Sequence, residues 1–321
     1  MFWKRKKKQD SDPERDLTNE HFDPAQAASV AGEKNALDLA HEAVVANPSR
    51  ETELAFWREI FAIDSWHFIG PSAEDTQRII ASGDASVPLL TFRREDGTRF
   101  ASVYSSSSRA SDAMVSNMKE RGEEQGFSTV QLSVSDALVR LCAMYEDREK
   151  PVRDAMFDDV PNGLRGYGTQ APGLVSMYNY FVGIPPQRCF GVMCAAAREG
   201  RHSRLFRDAY RMLWAFDSVW MAVMPDERPA LVQNNDQKLY LPVFTDRAHA
   251  DQFGKGPGAA RIMPVRPEEF GDLDEGIRKS LSDRFASIVV NPMTSALGIN
   301  IDQFLKALDP EQEDASSAST T

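Results

Sequence analysis

The sequence has no apolar run near the roughly 18 residues that a membrane-spanning helix needs. Nor does an apolar stretch of roughly 7 to 15 residues follow its first cations, as a secretory signal requires. A cytoplasmic location is therefore expected. The chain of 321 residues carries only three cysteines, Cys142, Cys189 and Cys194, which cannot all pair and so fit a reducing compartment. Signatures of chemistry are equally scarce. There is no G-x-S-x-G elbow, and His67, two residues from Ser65 on a strand-like stretch, has no evident group to orient it as a base. Cys189 and Cys194 have four residues between them and no second Cys pair or close His pair, a poor zinc pattern. In "FGKGPGAAR" (253 to 261) the glycines come after a helical stretch and lack P-loop spacing, so Gly254 reads as the end of a helix. No catalytic residue, cofactor or metal is expected. The acids Glu146, Asp147, Glu149, Asp158 and Asp159 read as a solvated face.

Cations are also in the minority: 37 Lys and Arg against 48 Asp and Glu give a net charge of -11, which argues against a nucleic-acid partner. The exception is the head "MFWKRKKK", where Lys4, Arg5, Lys6, Lys7 and Lys8 follow Phe2 and Trp3. It admits two readings. One is a solvated tail. The other is weak contact with an anionic membrane surface, each cation adding about 1 kcal/mol near the lipid, with the two aromatics as interfacial anchors. Phe2 stands where myristoylation needs glycine, so no acyl chain would reinforce that contact.

With 42% hydrophobic and 26% charged residues the rest of the chain can build a sizeable core, and its length suits about two domains. Leu37, Ala40, Val44 and Val45 recur at helical spacing before Asn47-Pro48. Leu54, Trp57 and Phe61 repeat the pattern after Ser49, with Ser49 or Thr52 as the cap. "SWHFIGP" reads as a strand closed by Gly70-Pro71, and Asp96-Gly97 as a hairpin turn between two strands. A helix from the serine run, the strand "FSTVQLS" and a further helix complete an α+β unit.

A second region repeats these blocks. "LFRDAYRMLWAFDSVWMAVMP" (205 to 225) parallels "AFWREIFAIDSWHFIGP" (55 to 71). "RPALVQNNDQKLYLPVFTDRAHADQF" parallels "VPLLTFRREDGTRFASVYSSSSRASDAM", setting Tyr104-Ser105 against Phe244-Thr245. "ARIMPVRPEEFGDL" parallels "VQLSVSDALVRL". Three blocks in one order point to an internal duplication. The helical stretch 35 to 71, the "LYLPVFTDRAHADQF" block and the closing "ASIVVNPMTSALGINIDQFLKAL" resemble the SseB family, bacterial proteins named for enhanced serine sensitivity. The resemblance implies an α+β fold and a cytoplasmic location, and it brings no catalytic residues. In the first copy "VVNP" has no clear counterpart.

The expected organisation is a basic tail at 1–25, a first SseB-like unit at 26–148, a docked irregular connection at 149–200, a second unit at 201–308 and a disordered acidic, Ser-rich tail at 309–321. Each unit is expected to be a small mixed sheet flanked by helices. Thr245 is expected to cap the helix after Phe244, and one of Ser105 to Ser108 to do so in the first copy. Two functions fit: a non-catalytic interaction or regulatory module for a protein partner, or a small-ligand sensor or enzyme. The candidate surface in both is Arg165, Tyr167, Tyr178 and Tyr180, which for the second reading line a pocket between the copies.

Overall fold

The computed structural model describes residues 36–75, 78, 88–94, 96–121, 126–147, 149–158, 167–200, 203–255, 261–294 and 296–307. The basic head from Phe2 to Lys8, Arg165, Asp159 and the tail 309–321 lie outside them. So does the start of the first expected unit, 26–35.

The backbone divides after Met177 into two compact units, each an α+β arrangement. In the first, α1 (Ala36–Ala46) and α2 (Arg50–Phe61) form a helical hairpin. Ser49 caps α2: its hydroxyl accepts from the Thr52 N–H at 3.2 Å while the Thr52 hydroxyl accepts from the Ser49 N–H at 3.0 Å, a reciprocal capping box. The chain continues through β1 (Ser65–Pro71), β2 (Thr91–Arg93), β3 (Arg99–Val103), α3 (Ser107–Arg121), β4 (Phe127–Ser133), α4 (Val134–Glu146), β5 (Val152–Phe157), β6 (Tyr167–Gln170) and α5 (Ala171–Phe181). The second unit runs α6 (Phe190–Gly200), α7 (Ser203–Trp214), β7 (Val219–Val223), β8 (Val232–Gln233), β9 (Leu239–Phe244), α8 (Arg247–Gly254), β10 (Arg261–Val265), α9 (Phe270–Leu281), β11 (Phe285–Val290), β12 (Leu297–Ile299) and α10 (Ile301–Lys306). Apart from a helical stretch at 73–75 between β1 and β2, the succession of helices and strands is the same.

So is the pairing. In the second unit one mixed sheet has the order β10-β7-β9-β11-β12, with β8 beside β9. In the first, β4 pairs β1, β2 pairs β3, and β3-β5-β6 are adjacent. His67 of β1 joins the two parts by exchanging both backbone hydrogen bonds with Tyr104, each 2.8 Å. Phe244 holds the place of Tyr104, paired antiparallel with Trp220. The central pair is parallel in both units, β3 with β5 and β9 with β11, and each carries a register shift at its first residues. Even the hairpin turns agree. The Gly97 N–H bonds the Arg94 carbonyl at 2.9 Å, and the Gln237 N–H bonds the Asn234 carbonyl at 3.0 Å; both donors sit at positive φ, 82° and 61°.

The core of the first unit sets Phe157 edge to face against Trp57 and Trp66, with Phe61 tilted against the same two rings, centroids 5.1 to 6.4 Å apart. In the second, Phe304 lies against Tyr210, Trp214 and Phe270. Tyr210 accepts from the Asn300 N–H and donates to the Gly298 carbonyl, and Trp214 donates to the Phe304 carbonyl, so α7 is tied to β12 and α10. The Tyr210 and Trp214 rings thus find partners for their polar edges.

The stretch 149–200 differs from the expected irregular connection. It holds β5, β6, α5 and α6 and is split between the units. The strand pattern of β5 is hidden because Arg153 and Asp154 interrupt its apolar residues, and β6 is short and contains Gly168. Among the described residues, no helix is long and apolar enough to cross a membrane.

Candidate functional site

The two units carry the same polar corner, where the inner strand turns into its helix. Beyond β5, the Asp158 N–H bonds the Val103 carbonyl at 2.7 Å; beyond β11, the Asn291 N–H bonds the Val243 carbonyl at 2.8 Å. Both residues have positive φ, 51° and 49°. Asp and Asn are the side-chain-bearing residues that tolerate this conformation best, which explains the pair. The missing counterpart of "VVNP" is therefore Phe157-Asp158.

The corners differ in charge. In the second unit the Thr245 N–H donates to Asn291 Oδ1 at 2.9 Å, and Asn291 Nδ2 donates to the Thr245 hydroxyl at 2.9 Å. Thr245 is thus spent on Asn291 and does not cap α8. Asp246 does, accepting from the Ala248 and His249 N–H groups at 2.6 and 3.2 Å. The expected cap lay one residue early because the Asn291 partner is distant in sequence. In the first unit the Ser105 N–H and hydroxyl donate to Asp158 at 2.7 and 2.6 Å. Ser106 takes the capping place, accepting from the Arg109 N–H. Asp158 is wholly buried and ion-paired to Arg109, which also pairs with Asp38 on α1. Burial disfavours the Arg109 charge, and the Asp158 and Asp38 carboxylates outweigh it, holding the guanidinium protonated. Asp158 is therefore no part of a solvated acidic face.

His67 lies beside this corner. Its side chain is buried, which lowers its pKa, while the nearby Asp158 carboxylate acts in the opposite sense. Ser65 is engaged by Gln131 Nε2 at 2.8 Å. The Asp158 carboxylate accepts hydrogen bonds from both the Ser105 hydroxyl and the Ser105 N–H, with no imidazole between them, and the Ser105–Asp158 contact ties β3 to β5. Cys142, Cys189 and Cys194 are buried thiols. Among the described residues, no group of three or more His, Cys, Asp or Glu is gathered so as to hold a metal.

The surface offers another feature. Tyr180, Val182 and Ile184 are 56%, 51% and 58% exposed, although the apolar run 174 to 197 reads as buried. The buried part is real: Leu174, Val175, Cys189, Phe190, Val192 and Met193 are enclosed. The exposed part is the outward side of α5 and the loop after it. The Val182 and Gly183 N–H groups both bond the Tyr178 carbonyl, at 2.9 and 3.1 Å, and Gly183 at φ 138° turns the chain where a Cβ would be strained. Pro185 is buried, the Cys189 N–H bonds the Pro186 carbonyl, and Gln187 Nε2 bonds the Ala215 carbonyl. The apolar side chains stand on a backbone fixed at both ends. The Arg204 guanidinium lies 5.7 Å over the Tyr180 ring, and Arg188, four residues after Ile184 in the chain, is exposed.

Of the four residues expected at a surface, Arg165 lies outside the described residues. Tyr167 is the β6 residue paired with Phe157. Tyr178 is half-buried and Tyr180 exposed; two positions apart on a helix, they point about 200° away from each other. Only Tyr180 therefore belongs to the exposed patch. Val182 and Ile184 were not singled out by the sequence, and the signal for them is the Gly183-x-Pro185-Pro186 punctuation that halts α5 and turns its end outward.

Shallow depressions flank the Asp274–Arg278 ion pair in the second unit, between α9 and the β12–α10 corner. Arg278 there also donates to the Phe285 and Ala286 carbonyls, so its role is to tie α9 to β11.

No protein-family model matches the chain, and no curated protein does. A solved structure of Tic22 from Plasmodium falciparum is similar over 79% of this chain and 96% of its own, at 10% identity and a TM-score of 0.21. A similarity that low carries no argument about fold or function.

Proposed function

We propose that the chain is a non-catalytic, SseB-like cytoplasmic protein, made by duplication of one α+β unit, that binds a partner protein through Tyr180, Val182 and Ile184. The carrying observation is the exposure of three large apolar side chains, Tyr180, Val182 and Ile184, within five residues of a backbone held by hydrogen bonds on either side. Single exposed apolar residues need no explanation, but a cluster on ordered backbone costs solvation without a folding return, and partner contact is the usual reason for it. A preformed backbone also lowers the entropic cost of association. Arg204 over the Tyr180 ring, with the exposed Arg188 nearby in the chain, selects the partner's chemistry: an apolar segment flanked by acidic residues, attracted to cations and steered by them.

The duplication is supported by the shared succession of elements, the shared strand pairing and the shared polar corner. The cytoplasmic location is supported by three buried thiols. The polar groups of the two corners are consumed in internal ties, which favours binding over catalysis as the role of this protein.

The test is affinity capture from an extract of the native cells with the full chain and with Val182→Ser/Ile184→Ser. The expected result is a protein retained by the wild type and lost, by tenfold or more, with the double variant, while Arg204→Glu weakens capture in a salt-dependent way. Equal capture by both proteins, or none above background by the wild type, overturns the reading.

A further inference from the structure

Edge strands present unpaired backbone N–H and C=O groups, and folded proteins guard them with charge, proline or brevity. The two units differ here at equivalent places. The outer strand of the second unit, β10, is guarded. Its five residues include Arg261, which pairs with Glu227 at 3.1 Å, and Pro264, which has no N–H to donate. The outer strand of the first unit, β4, spans seven residues, Phe127-Ser-Thr-Val-Gln-Leu-Ser133, with no charge and no proline. Among the described residues, β1 is the only strand paired with it.

The faces of β4 sharpen the contrast. Phe127, Thr129 and Gln131 share a side with Pro71, Ile69 and His67, and Phe127 packs on the cluster of Ile69, Phe92, Phe100 and Tyr104. Val130 and Leu132 share the other side with Phe68 and Trp66, both fully buried. Val130 and Leu132 themselves are only half-buried, so a further strand beside β4 would complete the burial that the core begins.

We propose that the added strand is β4 of a second copy, paired antiparallel about a two-fold axis at Val130. That register sets Phe127 opposite Ser133, Ser128 opposite Leu132, Thr129 opposite Gln131, and Val130 opposite itself. Every facing pair is uncharged, so two chains of net charge -11 meet here without like charges across the ladder. A foreign segment would find no charge on β4 to recognise, whereas a second copy matches it in length and satisfies each outer backbone group by symmetry. Two-fold pairing of identical surfaces is the commonest route to a homodimer. This strand belongs to the first unit and the Tyr180–Ile184 stretch to the second, and neither reading depends on the other.

Sedimentation equilibrium of the full chain should give a reversible dimer of the 35.8 kDa monomer. Gln131 is exposed, so Gln131→Lys should fold as the wild type does by circular dichroism. It should raise the dimer dissociation constant about tenfold by placing two lysines near the axis. Val130→Cys should form a covalent dimer on mild oxidation, because residues directly opposite in an antiparallel ladder lie about 4.5 to 5.5 Å apart, within disulfide reach. A wild type that stays monomeric at the highest soluble concentration, a dimer indifferent to Gln131→Lys, or a Val130→Cys protein that remains unlinked each overturns the proposal.

Discussion

One backbone corner is built twice in this protein, once with charges and once without. Asp158 and Asn291 follow equivalent strands, hold equivalent positive φ values and bond equivalent carbonyls. Around Asp158 the chain assembles Ser105, Arg109 and Asp38; around Asn291 it uses Thr245 alone. The difference teaches what the corner demands. The fixed requirement is a side chain that tolerates the left-handed conformation and accepts the first N–H after the inner strand. The charge is optional. Where it is present it recruits α1, through Asp38, into the same network, so the first unit ties a helix that the second unit's corner leaves alone.

The largest break in this comparison should come from Asp158→Ala. Removing a buried carboxylate leaves Arg109 half-compensated and frees the Ser105 donors, a loss of about 3–5 kcal/mol for a buried pair deprived of one member. Amide hydrogen exchange in β3 and β5 should report it as lost protection. Asn291→Ala should cost less, about 1–3 kcal/mol, because the orphaned groups are neutral. Equal losses would mean that the charged network adds nothing beyond the shared hydrogen bonds.

The hairpin turns allow a finer exchange. Gly97 suits its φ of 82°, whereas Gln237 holds a φ of 61° that costs an ordinary residue about 1–2 kcal/mol. Gly97→Ala should therefore destabilise the chain by about 1 kcal/mol, and Gln237→Gly should be neutral or stabilising, by up to about 1 kcal/mol. Thermal midpoints that move in one direction for both substitutions would mean that the turns are not equivalent.

Much of this symmetry was legible in the sequence, and the reason is local. The strands, the Asp96-Gly97 turn and the aromatic-to-hydroxyl steps at Tyr104-Ser105 and Phe244-Thr245 depend on near neighbours, so local residue patterns mark them. Asp158 was not legible. Its partners lie far away at Ser105, Arg109 and Asp38, and in the row Asp158-Asp159 it looks like any solvated acid. The resemblance of Phe157-Asp158 to Val290-Asn291 rests on a shared φ, which no pattern of apolar residues encodes. Thr245 was misassigned as a cap for the same reason, since only the distant Asn291 reveals its engagement. The exposed patch shows the opposite failure. Val182 and Ile184 sit in an apolar run whose neighbours are truly buried, and composition does not say which side of a turn faces water.

The smallest expected effect separates the units by pH. His67 in the first unit is replaced in the second by Trp220, which does not titrate; the two hold the same place, paired with Tyr104 and Phe244. Burial lowers the His67 pKa below the ordinary 6.5, against a smaller opposing pull from Asp158. A depressed folded-state pKa means that the unfolded chain binds the proton first as pH falls. The stabilisation is then complete above about 6.5, declines below it and is lost once pH passes the folded-state value. His67→Phe removes this proton linkage, so its thermal midpoint should fall less than that of the wild type between pH 7 and 5, in a buffer of constant ionic strength. The carboxylates common to both proteins cancel in that difference. If the two midpoints run parallel over the whole range, His67 contributes nothing to acid sensitivity, and its burial is offset by a neighbour other than Asp158.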